Sequence, residues 1–183
     1  MLTVAWTALV ICGITAAYWL LMALASARGA LPLTWLDRQP GHRFLIVVPA
    51  HEEERVIAAT GQQLLKLDYP DHLFAIHVVA DHCSDATAML ARQAGAVVHE
   101  RNAGPRSGKG AALTWALQRL LSSETCDAVV VFDADTWVDP AFLRVMDVRL
   151  AQGAEVIQGQ HIIANPDAGW FAALAWAMLI IDN

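Results

Sequence analysis

The chain has 183 residues, a formal net charge of −6 and 56% hydrophobic residues. This length favours one main domain. The acidic balance argues against a general nucleic-acid binder, since no basic stripe stands out that would neutralise a phosphate backbone. Three cysteines, an odd number without metal-type spacing, indicate a reducing compartment rather than a disulfide framework.

The first 27 residues are predicted to form one transmembrane helix. Leu2 to Ala25 contains no charged residue and exceeds the roughly 20 residues that a membrane-spanning helix needs. A signal peptide fits less well because the apolar run is too long and no basic region precedes it, and a buried core helix is a third interpretation. Arginines follow the segment, so the positive-inside rule predicts a location at the cell (inner) membrane, with the remaining chain facing the cytoplasm. Residues 28–42, punctuated by prolines and glycines, are predicted to be a linker.

After the linker, segments typical of strands and helices alternate. Phe44–Val48 and Phe74–Val79 have the apolar character of buried strands, Val97–Val98 is a brief third strand, and Ala128–Phe132 is the predicted central strand. The acids of His51–Glu54 are expected in the first turn of a helix, where they suit the positive end of its dipole. The alternation predicts an α/β fold with a mostly parallel sheet and helices on both of its faces.

Two acids follow the last of these strands directly. Asp133 and Asp135 flank Ala134, and alternate side chains of a strand share one face. Open α/β sheets bind ligands at the carboxyl edge, where this pair is predicted to lie. Neighbouring carboxylates suit Mg²⁺ or Mn²⁺, ions that commonly bridge carboxylates and substrate phosphates. A solvated turn that carries acids by chance is the alternative at this point.

A glycine-rich loop carries two cations, Arg106 and Lys109, in front of a predicted helix. A Walker A loop would need Gly and Ser or Thr where the chain has Ala103 and Gly110, and a dinucleotide fingerprint would need Gly where it has Leu113. Both nucleotide patterns therefore fail. Cations beside a helix N-terminus can still hold a diphosphate, and a solvated turn with incidental cations is the alternative.

Four short motifs stand in an informative order: Val48–Glu53, Ala80–Thr87, Arg106–Ala111 and Asp133–Asp135. Together they resemble the donor-binding half of a family 2 glycosyltransferase with the GT-A fold, which is Rossmann-like. The resemblance implies that residues 43–183 form a GT-A nucleotide-sugar-binding domain. Because the family's acidic base motif lies further downstream, this domain is expected to be truncated at its C-terminus.

The resemblance also implies roles for individual residues. The segment that cradles the nucleobase and ribose matches four positions: Pro49, Ala50, His51 and Glu52. Asp81 matches the acid that hydrogen-bonds the base, in a D-D-x-S motif whose first acid is replaced here by Ala80.

The remaining two motifs match the diphosphate and metal region of the family. Lys109 and Arg106 match the basic loop near the nucleotide. Asp133, Ala134 and Asp135 match the D-x-D motif, in which the last acid ligates the divalent metal, Mg or Mn, and the first lies towards the ribose and the metal.

The implied reaction is an inverting sugar transfer from a nucleotide-diphosphate sugar to a glycan or lipid acceptor at the membrane. No residue matches the family's general base, although a polyprenyl-phosphate acceptor, already an anion, would not need one. The apolar segment Ala168–Ile181 is predicted to be an interfacial helix or a helix whose packing partner lies in missing sequence. The alternative function is a catalytically incomplete fragment or remnant that binds a nucleotide sugar.

Overall fold

A computed structural model describes the chain over residues 2–26, 38–162 and 169. The chain divides into two compact units, one of residues 1–35 with 158–183 and the other of residues 36–157. Helix α1 (Leu2–Ser26) belongs to the first unit. All strands and the other helices of the described residues belong to the second.

The strands are β1 (Phe44–Ala50), β2 (Phe74–Asp81), β3 (Val97–Arg101) and β4 (Ala128–Val131). The remaining helices are α2 (Ile57–Leu64), α3 (Thr87–Gln93), α4 (Lys109–Ser123) and α5 (Phe142–Ala151), and one 3₁₀ turn, Asp71–Leu73, precedes β2. β1 shows no alternation of apolar and polar residues because both of its faces are covered, as in other parallel sheets.

Helix α1 takes the place of the predicted transmembrane segment. It is 25 residues long, and its described large apolar side chains are exposed, Trp6, Leu9 and Ile11 among them. Thr15 lies within it and donates a hydrogen bond from its hydroxyl to the Ile11 carbonyl at 2.8 Å. Nevertheless, no helix in the described part of the chain is long and apolar enough to cross a membrane. The prediction of a membrane-spanning anchor is therefore not supported.

The four strands form one sheet in the order β3-β2-β1-β4, and every pair is parallel. Phe44 lies opposite Phe74 and Ala128, so β1, β2 and β4 begin level with one another, while β3 begins at Val97 opposite His77. Their carboxyl ends consequently meet at one edge of the sheet, where Asp81 pairs with Arg101. The predicted parallel α/β architecture is confirmed. The last strand along the chain, β4, was predicted to be central. That prediction was wrong, because among the described strands β4 pairs with β1 alone and lies at the edge of the sheet.

Helices cover both faces of this sheet, as predicted. On one face Ile46 and Val48 pack in a core that includes Ile57 of α2, Ala91 of α3 and Leu143 of α5. On the other face the alternate β1 residues pack with α4, in a smaller core formed by Leu45, Val47, Val79, Ala112, Ala116 and Leu120. Burial of these apolar side chains on both sides is the main stabilising contribution to the domain.

The segment after β1 differs from its prediction. The acids 52–54 do not form the first turn of a helix, since α2 begins only at Ile57. Glu52 has a φ of 58°, in the left-handed region that interrupts a right-handed helix. The carboxylates of Glu52 and Glu54 accept backbone hydrogen bonds from Ser84 and Ala86, in the next loop along the sheet edge. The predicted interfacial helix 168–181 lies outside the described residues.

A buried carboxylate on α5 fixes the chain where it enters β1. Asp147, 2% exposed, accepts hydrogen bonds from the backbone N–H groups of Gly41 at 3.0 Å and His42 at 2.9 Å. It also accepts from the His42 ring at 2.8 Å and from the Tyr69 hydroxyl at 2.9 Å. Burial alone would raise the pKa of Asp147, but these donors outweigh burial and hold the pKa at about 2.

We expect Asp147→Asn to lower the free energy of unfolding by about 2 kcal/mol at pH 7, because a neutral amide oxygen accepts the four hydrogen bonds made to Oδ1 less strongly than a carboxylate, and the amide NH₂ takes the place of the oxygen that lies 4.0 Å from Arg38. A carboxyl with a depressed pKa contributes stability above its unfolded value of 3.8, and loses it as the pH falls through the folded value of about 2. Urea unfolding at pH 7, 4 and 2.5 should therefore show the difference between wild type and variant shrinking with acid. Equal stability at pH 7 would contradict this role.

Candidate functional site

A cleft of about 220 Å³ opens at the carboxyl edge of the sheet. Its walls come from the ends of β1 and β2, from the loop before α4 and from the turn after β4. Every site residue proposed from the sequence lines this cleft except Glu52. The complete lining consists of Pro49, Ala50, His51, Glu53, Asp81, Arg106, Gly108, Lys109, Ala112, Asp133, Ala134 and Asp135. Parallel pairing explains this convergence, because each strand delivers its following residues to the same edge.

The structure places Glu53, and not Glu52, on the cleft wall. The Glu52 carboxylate accepts hydrogen bonds from the Ser84 hydroxyl at 2.7 Å and from the Ser84 N–H at 2.9 Å, which lower its pKa. The Glu53 N–H donates to the Thr87 hydroxyl at 2.8 Å, while no hydrogen bond to its carboxylate is present within the described ranges. Three consecutive acids gave no sequence signal to separate these two positions.

His51 lines the cleft with a defined ring orientation. Its Nδ1 lies 2.7 Å from the backbone carbonyl oxygen of Asp81. A carbonyl oxygen only accepts, so Nδ1 carries the proton, and Nε2 of the neutral ring is left as an acceptor. The end of β1 is thereby tied to the end of β2 on the floor of the site.

Asp81 lies at the centre of a buried network that sequence reasoning did not find. Its side chain is 5% exposed, and its Oδ1 accepts hydrogen bonds from Arg101 at 2.5 Å and from His82 Nδ1 at 2.8 Å. Burial alone would raise the pKa of Asp81, but these two partners outweigh burial and hold the pKa below its usual range. One carboxylate oxygen of Asp81 is thus already bonded to Arg101 and His82.

The same two partners hold the basic loop beside the cleft. Arg101 also donates to the Pro105 carbonyl at 3.2 Å, and His82 Nε2 contacts the Gly104 carbonyl at 2.8 Å. This clasp of Asp81, His82 and Arg101 positions the segment that leads to Arg106 and Lys109.

The loop ends where α4 begins. Gly108 has a φ of 86°, which favours glycine, and its carbonyl accepts from the N–H groups of Ala111 and Ala112. Lys109 is the first residue of α4 and forms an ion pair with Asp133 across the cleft. Arg106 is exposed and has no hydrogen-bond or ion-pair partner among the residues described, so its guanidinium is available to an anion.

The turn Asp133–Asp135, called the acid turn below, presents its two carboxylates unequally. Asp133 is occupied by Lys109, whereas Asp135 is exposed and makes no hydrogen bond or ion pair within the part of the chain that is described. Ala134 between them is buried, at 4% exposure. Groups of three or more metal-ligating side chains do not occur in residues 2–26 and 38–162. Two adjacent carboxylates fit an ion that completes its coordination with substrate phosphates and water, as Mg²⁺ does.

A second cavity, of about 280 Å³, lies at the opposite edge of the sheet, where β1 and β2 begin. It is lined by residues such as Arg43, Phe74, Glu124 and Cys126. None of the residues proposed from the sequence lines it. The candidate site is therefore the carboxyl-edge cleft.

Comparison with known proteins shows the family to which this chain belongs. A family model described as glycosyltransferase like family 2 matches residues 40–178. The beta-monoglucosyldiacylglycerol synthase of Synechocystis sp. is 31% identical over 149 residues, which is 78% of this chain and 30% of that protein. Its namesake from Trichormus variabilis is 29% identical over 143 residues, 75% of this chain and 30% of that protein. The chain thus spans less than a third of the length of these curated relatives.

Solved structures share the architecture. A mannosyltransferase from Pyrobaculum calidifontis, in complex with GDP-Man and Mn²⁺, superposes with a TM-score of 0.55 at 24% identity, over 75% of this chain and 42% of that one. A mycobacterial protein superposes with a TM-score of 0.50 at 28% identity, over 63% of this chain and 39% of that one. The matched family model covers most of the chain, including both the parallel sheet and the acid turn. The chain therefore belongs to the glycosyltransferase-like family 2, and the family and GT-A-type fold predicted from its motifs are confirmed.

Proposed function

We propose that the chain forms the donor-binding part of an inverting glycosyltransferase that uses a nucleotide-diphosphate sugar. The observation that carries the proposal is the convergence of Asp81, Arg106, Lys109 and the acid turn on one cleft. An open α/β sheet binds its ligand in this position, and the charges match an anionic donor accompanied by a divalent cation.

The nucleoside end of the donor is proposed to contact His51, Glu53 and Asp81. His51 Nε2, the second oxygen of Asp81 and the unpaired Glu53 carboxylate are all hydrogen-bond acceptors that suit base N–H groups and ribose hydroxyls. Glu53 thus replaces Glu52 in the set expected from the sequence, since the Glu52 carboxylate is held by Ser84.

The diphosphate is proposed to bind between Arg106, Lys109 and the N-terminus of α4. Lys109 is the first residue of that helix, whose unsatisfied N–H groups and dipole favour an anion. Arg106 adds a guanidinium that can hold two phosphate oxygens at once. These residues would neutralise the charge on the donor before and during transfer.

Asp135, together with Asp133, would hold Mg²⁺ or Mn²⁺. When bound, such an ion stabilises the negative charge that develops on the departing nucleoside diphosphate. The chain's own part is to present one unpaired carboxylate at Asp135 and a second at Asp133 that Lys109 can release to it. An acceptor hydroxyl then attacks the sugar from the face opposite the leaving group and loses its proton to a base.

The acceptor is proposed to be a lipid, in preference to a glycan. The curated relatives are synthases of a glucosylated diacylglycerol by name, which supports a glucose donor and a glycerolipid acceptor for this chain. A polyprenyl phosphate is the other lipid acceptor compatible with the donor site.

We expect the 183-residue chain to bind UDP or GDP more tightly with Mn²⁺ than without it, and Asp135→Asn to lose that increase in affinity. Removing the charge of a metal ligand should weaken the metal-dependent binding by at least about 10-fold. Calorimetric titration of each nucleotide, with and without Mn²⁺, measures this directly. Asp71→Asn, an exposed acid outside the cleft, is the matched control and should bind like wild type.

Absence of nucleotide binding by the folded wild-type chain would contradict the proposed function. Metal-dependent binding without sugar transfer to any lipid acceptor would favour the alternative, a nucleotide-sugar-binding fragment.

Lys109→Ala is expected to change two affinities in opposite directions. Loss of the cation paired with Asp133 should strengthen the binding of Mn²⁺ alone by about 2- to 5-fold, a modest effect because the pair is half exposed. It should weaken nucleotide binding in the presence of Mn²⁺, because a phosphate partner is lost. Titrations of Mn²⁺ and then nucleotide measure both, with the exposed Lys66→Ala as control. A parallel change in the two affinities would contradict the idea that Lys109 moves between carboxylate and phosphate.

A further inference from the structure

The acid turn is attached to α2 by a buried hydrogen bond. Thr60, near the end of the first turn of α2, donates a hydrogen bond from its hydroxyl to the backbone carbonyl of Ala134 at 2.5 Å. Thr60 is 6% exposed and Ala134 is 4% exposed, so the bond is shielded from water. The accepting carbonyl belongs to the residue that separates Asp133 from Asp135. Together with the backbone hydrogen bond from the Thr136 N–H to the Asp133 carbonyl at 3.1 Å, this contact holds the peptide on which both carboxylates depend for their spacing.

Two further donors from the same side fix the chain that follows. The Gln63 side-chain amide, one turn after Thr60, donates to the Val138 carbonyl. The Asp68 N–H donates to the Pro140 carbonyl at 2.8 Å. In all three contacts the donor lies on α2 or just after it, and the acceptor is a carbonyl of the segment 134–140. That segment has no strand or helix of its own, so its buried carbonyls depend on these donors.

The Thr60 hydroxyl has a second acceptor within reach inside its own helix, so the acceptor that it bonds is informative. Its hydroxyl also lies 3.2 Å from the Val56 carbonyl, the ordinary acceptor for a threonine inside a helix. A hydroxyl has one proton, and the shorter contact is the one to Ala134. A valine would fill the same volume on α2 but would leave the buried Ala134 carbonyl without this donor.

We propose that Thr60 is a positioning residue for the acid turn, acting through the Ala134 carbonyl to hold Asp133 and Asp135 in one metal-binding arrangement, with Gln63 in support. The inference rests on the proposed function, since it concerns how that site binds its metal. Neither side chain lines the cleft, so their effect on a ligand passes through the turn. Groups that orient metal ligands from behind typically change metal affinity by about 10- to 100-fold.

The test uses the full chain and four variants in calorimetric titrations of Mn²⁺ and of the nucleotide that wild type binds, UDP or GDP. Thr60→Val removes the hydroxyl and keeps the shape, whereas Thr60→Ser keeps the hydroxyl. Gln63→Met removes the second donor from a partly exposed side chain. Thr114→Val is the matched control, because its exposed hydroxyl on α4 bonds only the Gly110 carbonyl of its own helix.

We expect Thr60→Val to weaken metal-dependent nucleotide binding by about 10-fold and Gln63→Met by about 3-fold. Thr60→Ser and Thr114→Val should stay within about 2-fold of wild type. Nucleotide binding without metal should be unchanged in every variant, an outcome that a general loss of structure would not give. Urea unfolding confirms that each variant is folded at the titration temperature, and Gln63→Met carries the test if Thr60→Val is not.

Folded Thr60→Val with wild-type metal dependence would overturn the inference. Equal loss of metal-dependent and metal-independent binding would also overturn it, because the role would then be structural only. Failure of wild type itself to bind nucleotide with Mn²⁺ is a different result, which overturns the proposed function and this inference together.

Discussion

The buried carboxylate of Asp81 is the constraint on which the ligand end of the domain depends. A charge removed from water at this depth costs several kcal/mol unless cations compensate it. Arg101 supplies that cation and His82 a further hydrogen bond, and both side chains also contact carbonyls of the basic loop. The acid at the end of β2 and the loop that carries Arg106 are therefore held together, so the two parts of the cleft proposed to bind the base and the diphosphate are linked before any donor arrives.

In the part of the cleft that contains the acid turn and the start of α4, positive and negative side chains of the protein compensate one another. Lys109 forms an ion pair with Asp133. The carboxylate of Asp135 and the guanidinium of Arg106 also line the cleft and are exposed to solvent. An anionic diphosphate and a divalent cation can replace these internal partnerships without leaving a charge uncompensated. Beneath this surface, Thr60 of α2 gives the acid turn a rigid support. A site that binds a charged donor and releases a charged product needs a backbone that stays in place and ion pairs that can exchange partners. The supported acid turn supplies the first, and the pair of Lys109 with Asp133 supplies the second.

Much of the fold could be predicted from the sequence because the signals are local. Runs of apolar residues predicted β1, β2 and β4. The polar motifs that follow these strands in the sequence predicted which residues lie at the carboxyl edge of the sheet. Glu52, which was expected in the site, does not line the cleft; its backbone is left-handed and its carboxylate accepts a hydrogen bond from Ser84, which no local pattern reveals. Arg101 and Thr60 were not predicted because their partners lie 20 and 74 residues away, so that only the folded pairing of strands and helices brings them together.

The most direct test of the account is a crystal structure of the chain with Mn²⁺ and a nucleoside diphosphate, located by the anomalous signal of manganese. The account predicts the metal bound to Asp135, the diphosphate beside Arg106, and the Lys109 ammonium moved from Asp133 to a phosphate oxygen. Metal and nucleotide in the cavity lined by Arg43 and Glu124, with the carboxyl-edge cleft empty, would contradict it.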